Sequence, residues 1–313
     1  MRLPAKFQRG FTLVELLLVI LILGTLALGT SFLVDGFGDQ IRFDDTKSRL
    51  QQIRKAIIGD TNRTLNGQVD MSGFVADMGR LPESVEELVS GEGLELWNLS
   101  SVVVGTLSPV TIELYGGWRG PYLETFPESS TGRRAFRDGW GNADISGASA
   151  DFGWIYSQSD LSGVAVTSLG ADSQADDAGG SAEGYDKDFP TSGNLVEVAD
   201  YQVSLNGGLT VRFNNFADIP EGVTLKLFYF NDKAGLDGPE SDELPSLSGV
   251  QSVNVTFTAP DDIGNQGRYA AALICSNGNI YDGNCDAAHT NSQPYYFILV
   301  PRAQLPTILW NIQ

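Results

Sequence analysis

Three groups of residues in this 313-residue chain have the type and spacing to do chemistry. The first is a lone carboxylate, Glu15, inside the apolar run 11–34, 24 residues that carry no other charge. An ionised carboxylate in a bilayer costs roughly 2.5–3.5 kcal/mol, less near a helix end. Glu15 therefore calls for a partner, or for snorkelling to the headgroups. The second group is the loop 168–189, SLGADSQADDAGGSAEGYDKDF, with five aspartates and one glutamate among small residues. A hard cation such as Ca²⁺ takes roughly six to eight oxygens from carboxylates and carbonyls, and glycines let a loop wrap it. A solvated acidic loop is the plainer alternative. The third group is Cys275 and Cys285, which flank the hairpin-like loop SNGNIYDGN. In an oxidising compartment a disulfide there contributes roughly 2–3 kcal/mol by chain-entropy reasoning.

Other chemistries lack their residues. Two cysteines and one histidine, His289, leave little material for a zinc site. No nucleophile elbow, P-loop, His-Glu-x-x-His or dinucleotide fingerprint is present, and nothing selects a serine to act with His289. The expectation is a protein that is not an enzyme. With 20 Lys and Arg against 39 Asp and Glu, the net charge is −19, which argues against binding nucleic acid, since phosphate neutralisation needs basic patches.

The elements that must position these groups begin with the apolar run. Its length fits a spanning helix, which needs about 20 apolar residues. A cleaved signal peptide ending near Ala27-Leu28-Gly29 is the alternative, although signal cores are usually about 7–15 residues long. Under either reading Arg2, Lys6 and Arg9 stay cytoplasmic and the rest is exported; loss of those three charges takes −19 to −22. From Asp35 to about Thr61 the chain is polar but keeps a helical stripe at Ile41, Leu50, Ile53 and Ile57.

The stretch RGFTLVELLLVILILGTLALG resembles the N-terminal signal of type IV pilins and type II secretion pseudopilins. The resemblance implies cleavage between Gly10 and Phe11 by a prepilin peptidase and N-methylation of Phe11. It also implies that Glu15 is an assembly device, pairing with the Phe11 amine of a neighbouring subunit. The segments DMGRLPESVEELV, WRGPYL, RDGWGNADI and YSQSDLSGVAVTSLGADS, in that order, resemble the core of the major pseudopilin over roughly 11–190. That subunit binds calcium after the matching hairpin, so the implied oxygen donors are Ser168, Asp172, Asp186 and Asp188, with Asp176 and Asp177 in reserve. Lys187 interrupts the later acidic pair, and the loop is longer than usual.

By their chemistry, Pro82 should begin a short helix with Glu83, Glu86 and Glu87 near its start. Gly120-Pro121 should make a turn, and the indole of Trp140 should plug a helix–sheet seam. The stretches 153–157 and 164–168 read as a hairpin. After Gly193, six or so short alternating runs indicate a β-sandwich of immunoglobulin-like size, to which the resemblance does not extend. The expected fold is α+β: a leader (1–10), an N-terminal helix (11–61, with 11–34 transmembrane) on a small antiparallel sheet in a globular domain (62–193), then an all-β sandwich (194–313).

The function expected is a structural subunit of a pseudopilus supporting type II secretion. The chain would be single-pass in the bacterial inner membrane, with its C-terminal domains periplasmic. Its partners would be the prepilin peptidase, other pilin-type subunits and an inner-membrane assembly platform. The alternatives are a minor type IV pilin with an adhesive tip domain and a monomeric membrane-anchored binding module.

Overall fold

The computed structural model describes residues 12–60, 63–65, 68–69, 71–107, 109–125, 127–128, 132–176, 182–206, 208–286 and 293–312, with the backbone alone at 26–36, 65 and 68–69. Helix α1, Leu13–Ile58, runs unbroken for 46 residues, about 70 Å at the usual rise per residue. The stripe on its far half packs inward only in part. Leu50, Ile53 and Ile57 are buried, whereas Ile41 is exposed; the globular core begins near the buried Thr46. Gly59 ends the helix at a φ of 82°. A Cβ at that position would lie 1.6 Å from the carbonyl oxygen of Ser72, so only glycine fits.

Among the described residues no helix is long and apolar enough to cross a membrane. The span expected at 11–34 lies partly outside them, because Phe11 and the side chains of 26–36 are not described. What is described is an apolar stretch from Leu13 to Leu23 whose large side chains are all exposed.

A small ribbon follows, β1 (Thr64–Leu65) with β2 (Gln68–Val69), then helices α2 (Phe74–Met78) and α3 (Glu86–Val89). The helix expected from Pro82 starts later than the sequence implied: Val85 is its N-cap, and Glu86 and Glu87 lie in its first turn. Two antiparallel hairpins come next, β3 (Asn98–Val104) with β4 (Val110–Gly116) and β5 (Trp154–Ser159) with β6 (Gly163–Ser168). The second is the hairpin expected from residues 153–168. Ile53 and Ile57 of α1 join Phe74, Met78, Leu88 and Trp154 in one core.

The remaining elements are α4 (Val198–Tyr201), β7 (Gln202–Ser204), β8 (Thr210–Ile219), β9 (Val223–Asn231), β10 (Gly235–Asp237), β11 (Leu247–Asn254), β12 (Ile263–Asn265), β13 (Gly267–Cys275), β14 (Tyr295–Leu299) and β15 (Thr307–Trp310). Residues 195–205, the first of the alternating runs expected as strands after Gly193, divide into α4 and β7. There Glu197 and Asp200 form a capping box, which favours a helical turn over extension. Two sheets, ordered β10-β9-β13-β14 and β11-β8-β15, share a second core. All pairings are antiparallel except β15 with β8, and β7 pairs with β12 as a separate ribbon. The chain is therefore α+β. The β3–β4 hairpin belongs by sequence to 62–193 but by packing to this second core, which holds Ile112 and Leu114. A Cβ at Gly116 would lie 2.1 Å from the Phe230 side chain, a mark of how closely the hairpin lies on β9.

Candidate functional site

The N-terminal site is built by the first turn of α1. Thr12 is the N-cap, in an extended conformation, and its Oγ1 accepts a hydrogen bond from the Glu15 amide at 3.3 Å. In return Glu15 Oε2 accepts from the Thr12 amide at 2.9 Å and from the Thr12 hydroxyl at 3.0 Å. This is a capping box, and it sets the carboxylate at the positive end of the helix dipole. Glu15 thus has a partner inside its own chain. The signal for it, Thr-x-x-Glu, is legible in the sequence beside the intersubunit pairing that the resemblance implies. Gly10 and Phe11 lie outside the described residues, as does any contact of Glu15 with the Phe11 amine. From Leu13 to Leu23 the large apolar side chains of the helix are 46–80% exposed, a surface with no cover in the single chain.

Residues 5–31 match the prokaryotic N-terminal methylation motif. The match covers the end of the basic leader with Lys6 and Arg9, the Gly10-Phe11 junction and Glu15, and it fits a type IV pilin or pseudopilin. The methylation motif implies processing by a prepilin peptidase and assembly with pilin-type subunits. No curated protein and no solved structure matches the chain.

The acidic loop is anchored by a buried network. Ser168, at the end of β6, donates its hydroxyl to Asp138 Oδ2 at 2.5 Å and accepts from the Gly170 amide at 3.2 Å. Its carbonyl accepts from the Phe189 amide at 3.0 Å. Asp138 also accepts from the amides of Gly141 and Asn142, at 2.8 and 3.0 Å, and from the Asn142 side chain at 2.7 Å. The Asn142 side chain in turn donates to the Gly170 carbonyl at 3.1 Å. Ser168 is thereby a strut that ties the 138–142 turn to the stem of the loop. Trp140 does not plug the seam; it is half-buried between Arg42 and Tyr185, 5.9 Å from each.

Of the other loop residues, Asp172 is exposed and accepts from the Gln174 amide at 3.0 Å, and Asp186 is exposed in the 3-10 turn Gly184–Asp186. Asp176 and Asp188 exchange amide-to-carboxylate hydrogen bonds of 3.0 and 2.9 Å. That leaves Asp188 Oδ1 buried without a hydrogen-bond partner. Burial pushes the Asp188 carboxyl above its ordinary range, and the charges of Asp176 and Asp172 push it further. Asp177 lies outside the described residues, among which no three acidic, histidine or cysteine groups converge as a metal cluster. Among its described residues the loop holds one orphaned carboxylate oxygen, Asp188 Oδ1, within reach of the charges of Asp176 and Asp172.

Cys275 and Cys285 form a disulfide, as expected. The loop it closes holds Asn279, whose Oδ1 accepts from the amides of Thr106 and Leu107 at 2.9 and 3.1 Å, just past β3. Sequence reasoning missed two further clusters. Buried Asp77 accepts from Arg119 and Tyr122, each at 3.1 Å, and pairs with Arg268 at 3.5 Å, while both arginines lie over Trp97. Arg80 grips Glu87 and Asp232 with both ends of its guanidinium fork. Arginine, aspartate and tryptophan without local spacing carry no motif, so these clusters appear only once the chain is folded.

Proposed function

We propose that this chain is a pseudopilin-like structural subunit of a short filament that supports type II protein secretion, with no catalytic role. Prepilin peptidase cuts between Gly10 and Phe11 and methylates the new Phe11 amine. A single pass over 11–34 holds the chain in the bacterial inner membrane, the C-terminal units stand in the periplasm, and an inner-membrane assembly platform stacks it with other subunits. The observation that supports this most is the methylation motif at 5–31 heading an unbroken helix whose far end is buried in a globular unit. Mass spectrometry of membrane-extracted protein tests it: residues 1–10 should be missing and Phe11 should carry one added methyl. An intact Met1, or a cut near Gly29, overturns the reading.

Calcium belongs to the same proposal. The oxygens of Ser168, Asp172, Asp186 and Asp188, with Asp176 and Asp177 in reserve, would hold the ion, and the Ser168 hydroxyl, donated to Asp138, holds the loop stem. The unpartnered Asp188 Oδ1 supports it. A ligand bound by the folded state alone raises the melting temperature. Excess Ca²⁺ should therefore raise it for the full chain, and Asp172→Ala should remove the shift. No response at millimolar calcium leaves a solvated acidic loop.

The Cys275–Cys285 loop favours a second reading, a minor type IV pilin whose sandwich acts as a tip adhesin. Deleting the gene separates the two: secretion fails under the first, surface piliation under the second.

A further inference from the structure

We propose that the free edge of β14 is a docking site for an extended strand of another protein, added to the sheet through main-chain hydrogen bonds. The sheet's own ladder places this edge, independently of the filament reading. In an antiparallel sheet successive residues turn their backbone groups to alternate sides. On β9, the carbonyl of Leu225 and the amide of Leu227 bond to Ser241 and Pro239, away from β13. The residues between and beyond them, Lys226 and Phe228, therefore carry the bonds to Ala272 and Ala270 of β13. Tyr269 and Ala271 then face β14, where their partners are Phe297 and Tyr295. Tyr296 and Ile298 are left with their amides and carbonyls pointing out of the sheet. Among the described residues no backbone group pairs with them.

Natural edge strands are usually defended by charge, bulges or brevity. Two other edges of these sheets are. β10 has three residues and carries Asp237, while β11 is broken by register shifts at Leu247/Val250 and at Val250/Ser252. β14 has no such defence. From Gln293 to Pro301 no residue is charged, on a chain with 39 acids, and the side chains of Tyr296 and Ile298 are 50% and 38% exposed. A groove of about 610 Å³ runs beside the strand, lined by Leu114, Tyr269, Phe297 and Pro306 among others, and Arg268 is its only charged lining residue. A stacked row of rings, Tyr229–Tyr269–Phe297, ends at this edge.

These features define the occupant. It is an extended peptide, because only a strand satisfies alternate outward amides and carbonyls. Opposite Phe297 it carries an aromatic or β-branched residue, which extends the row of rings. It is uncharged, because residues 293–301 carry no charge and Arg268, the charged residue that lines the groove, is already paired with buried Asp77.

The test uses the full chain in detergent and a library of synthetic nonapeptides, with binding read by fluorescence anisotropy. The expected result is selection of alternating apolar, uncharged peptides. N-methylation of the best peptide at alternate residues should weaken binding at least tenfold, and at the intervening residues hardly at all. Ile298→Pro removes only an outward amide, which edge strands tolerate; it should keep the wild-type melting temperature and lose at least tenfold in binding. Ile298→Lys should do the same and keeps the test available if the proline variant misfolds. Three results overturn the proposal: no selected peptide, binding indifferent to N-methylation, or self-association that Ile298→Lys abolishes without any peptide binding.

Discussion

At the scale of single residues, Glu15 serves two partners at two stages, and substitutions can separate them. In the single chain its carboxylate closes the capping box with Thr12; in a filament it would meet a neighbour's Phe11 amine. Thr12→Val removes the two hydroxyl bonds of the first contact and leaves the backbone amide bond to Glu15, at a cost of about 0.5–2 kcal/mol of helix stability, and incorporation into filaments should survive. Glu15→Gln keeps an acceptor for the cap but loses the charge, and Glu15→Ala loses both. Breaking one side of a buried charge pair costs about 3–5 kcal/mol, over a hundredfold in association. Crosslinking of cysteines placed on adjacent apolar helices should therefore fall in the order wild type, Gln, Ala. Equal crosslinking in all three would return Glu15 to a capping role alone. Asp77 makes a pH-dependent case. Burial holds its carboxyl above the ordinary range, although Arg119 and Arg268 pull it down. A folded-state pKa above the unfolded one contributes stability that is fully present below the unfolded value, about 4, and lost as pH rises through the folded value. The melting temperature of wild type relative to Asp77→Asn should accordingly be higher at pH 4 than at pH 7. A difference constant with pH would show that the arginines neutralise the burial cost.

At the scale of elements, much was legible because the signals are local. The stripe Leu50, Ile53, Ile57 marked the buried face of α1, and alternation around a turn marked β5–β6. Local signals failed where a cap or a surface decided instead. The capping box of Glu197 and Asp200 turned an alternating run into α4, and Ile41 stayed exposed because nothing packs opposite it. The DGWG turn shows the same limit. Its glycine mattered more than its indole, because Gly139 brings the turn onto the backbone of α1. A Cβ there would lie 2.1 Å from the Arg42 carbonyl oxygen, and the Gly139 amide donates to Thr46 Oγ1 at 3.0 Å. Gly139→Ala should push the turn off the helix at a cost of about 1–3 kcal/mol, the usual range for overpacking. Thermal unfolding of the full chain should register the loss. Trp140→Ala, which removes a half-buried ring, should cost less, and the reverse order would restore the indole as the seam's plug.

At the scale of the molecule, the two cores are joined by ties that no sequence spacing announces, since their partners stand 102 to 208 residues apart. Arg80 binds Glu87 on its own side and Asp232 on the sandwich, with 12% of its side chain exposed. The sandwich also reaches the end of α1, where Gln266 donates to the Ile58 carbonyl at 2.9 Å and Asn265 to that of Gly79 at 2.9 Å. Asp200 sits between Arg54 of α1 and Arg302, at 2.8 and 2.7 Å. With so many contacts crossing the junction, the wild-type globular units should melt in one calorimetric transition. Arg80 is the place to break that coupling. Arg80→Met keeps the length of the stem but leaves two nearly buried carboxylates facing each other without a cation, at a cost of about 3–5 kcal/mol. The variant should melt in two transitions, with the sandwich separating from the helical unit. Adding Glu87→Gln and Asp232→Asn to it removes the uncompensated charges and should bring the transitions back together in part. Lys233 and Glu83 form a second, exposed ion pair across the same junction, and exposed pairs contribute little. Lys233→Met should therefore leave the single transition intact. If Arg80→Met also melts as one body, the shared β3–β4 hairpin, rather than the ion pairs, is what couples the two cores.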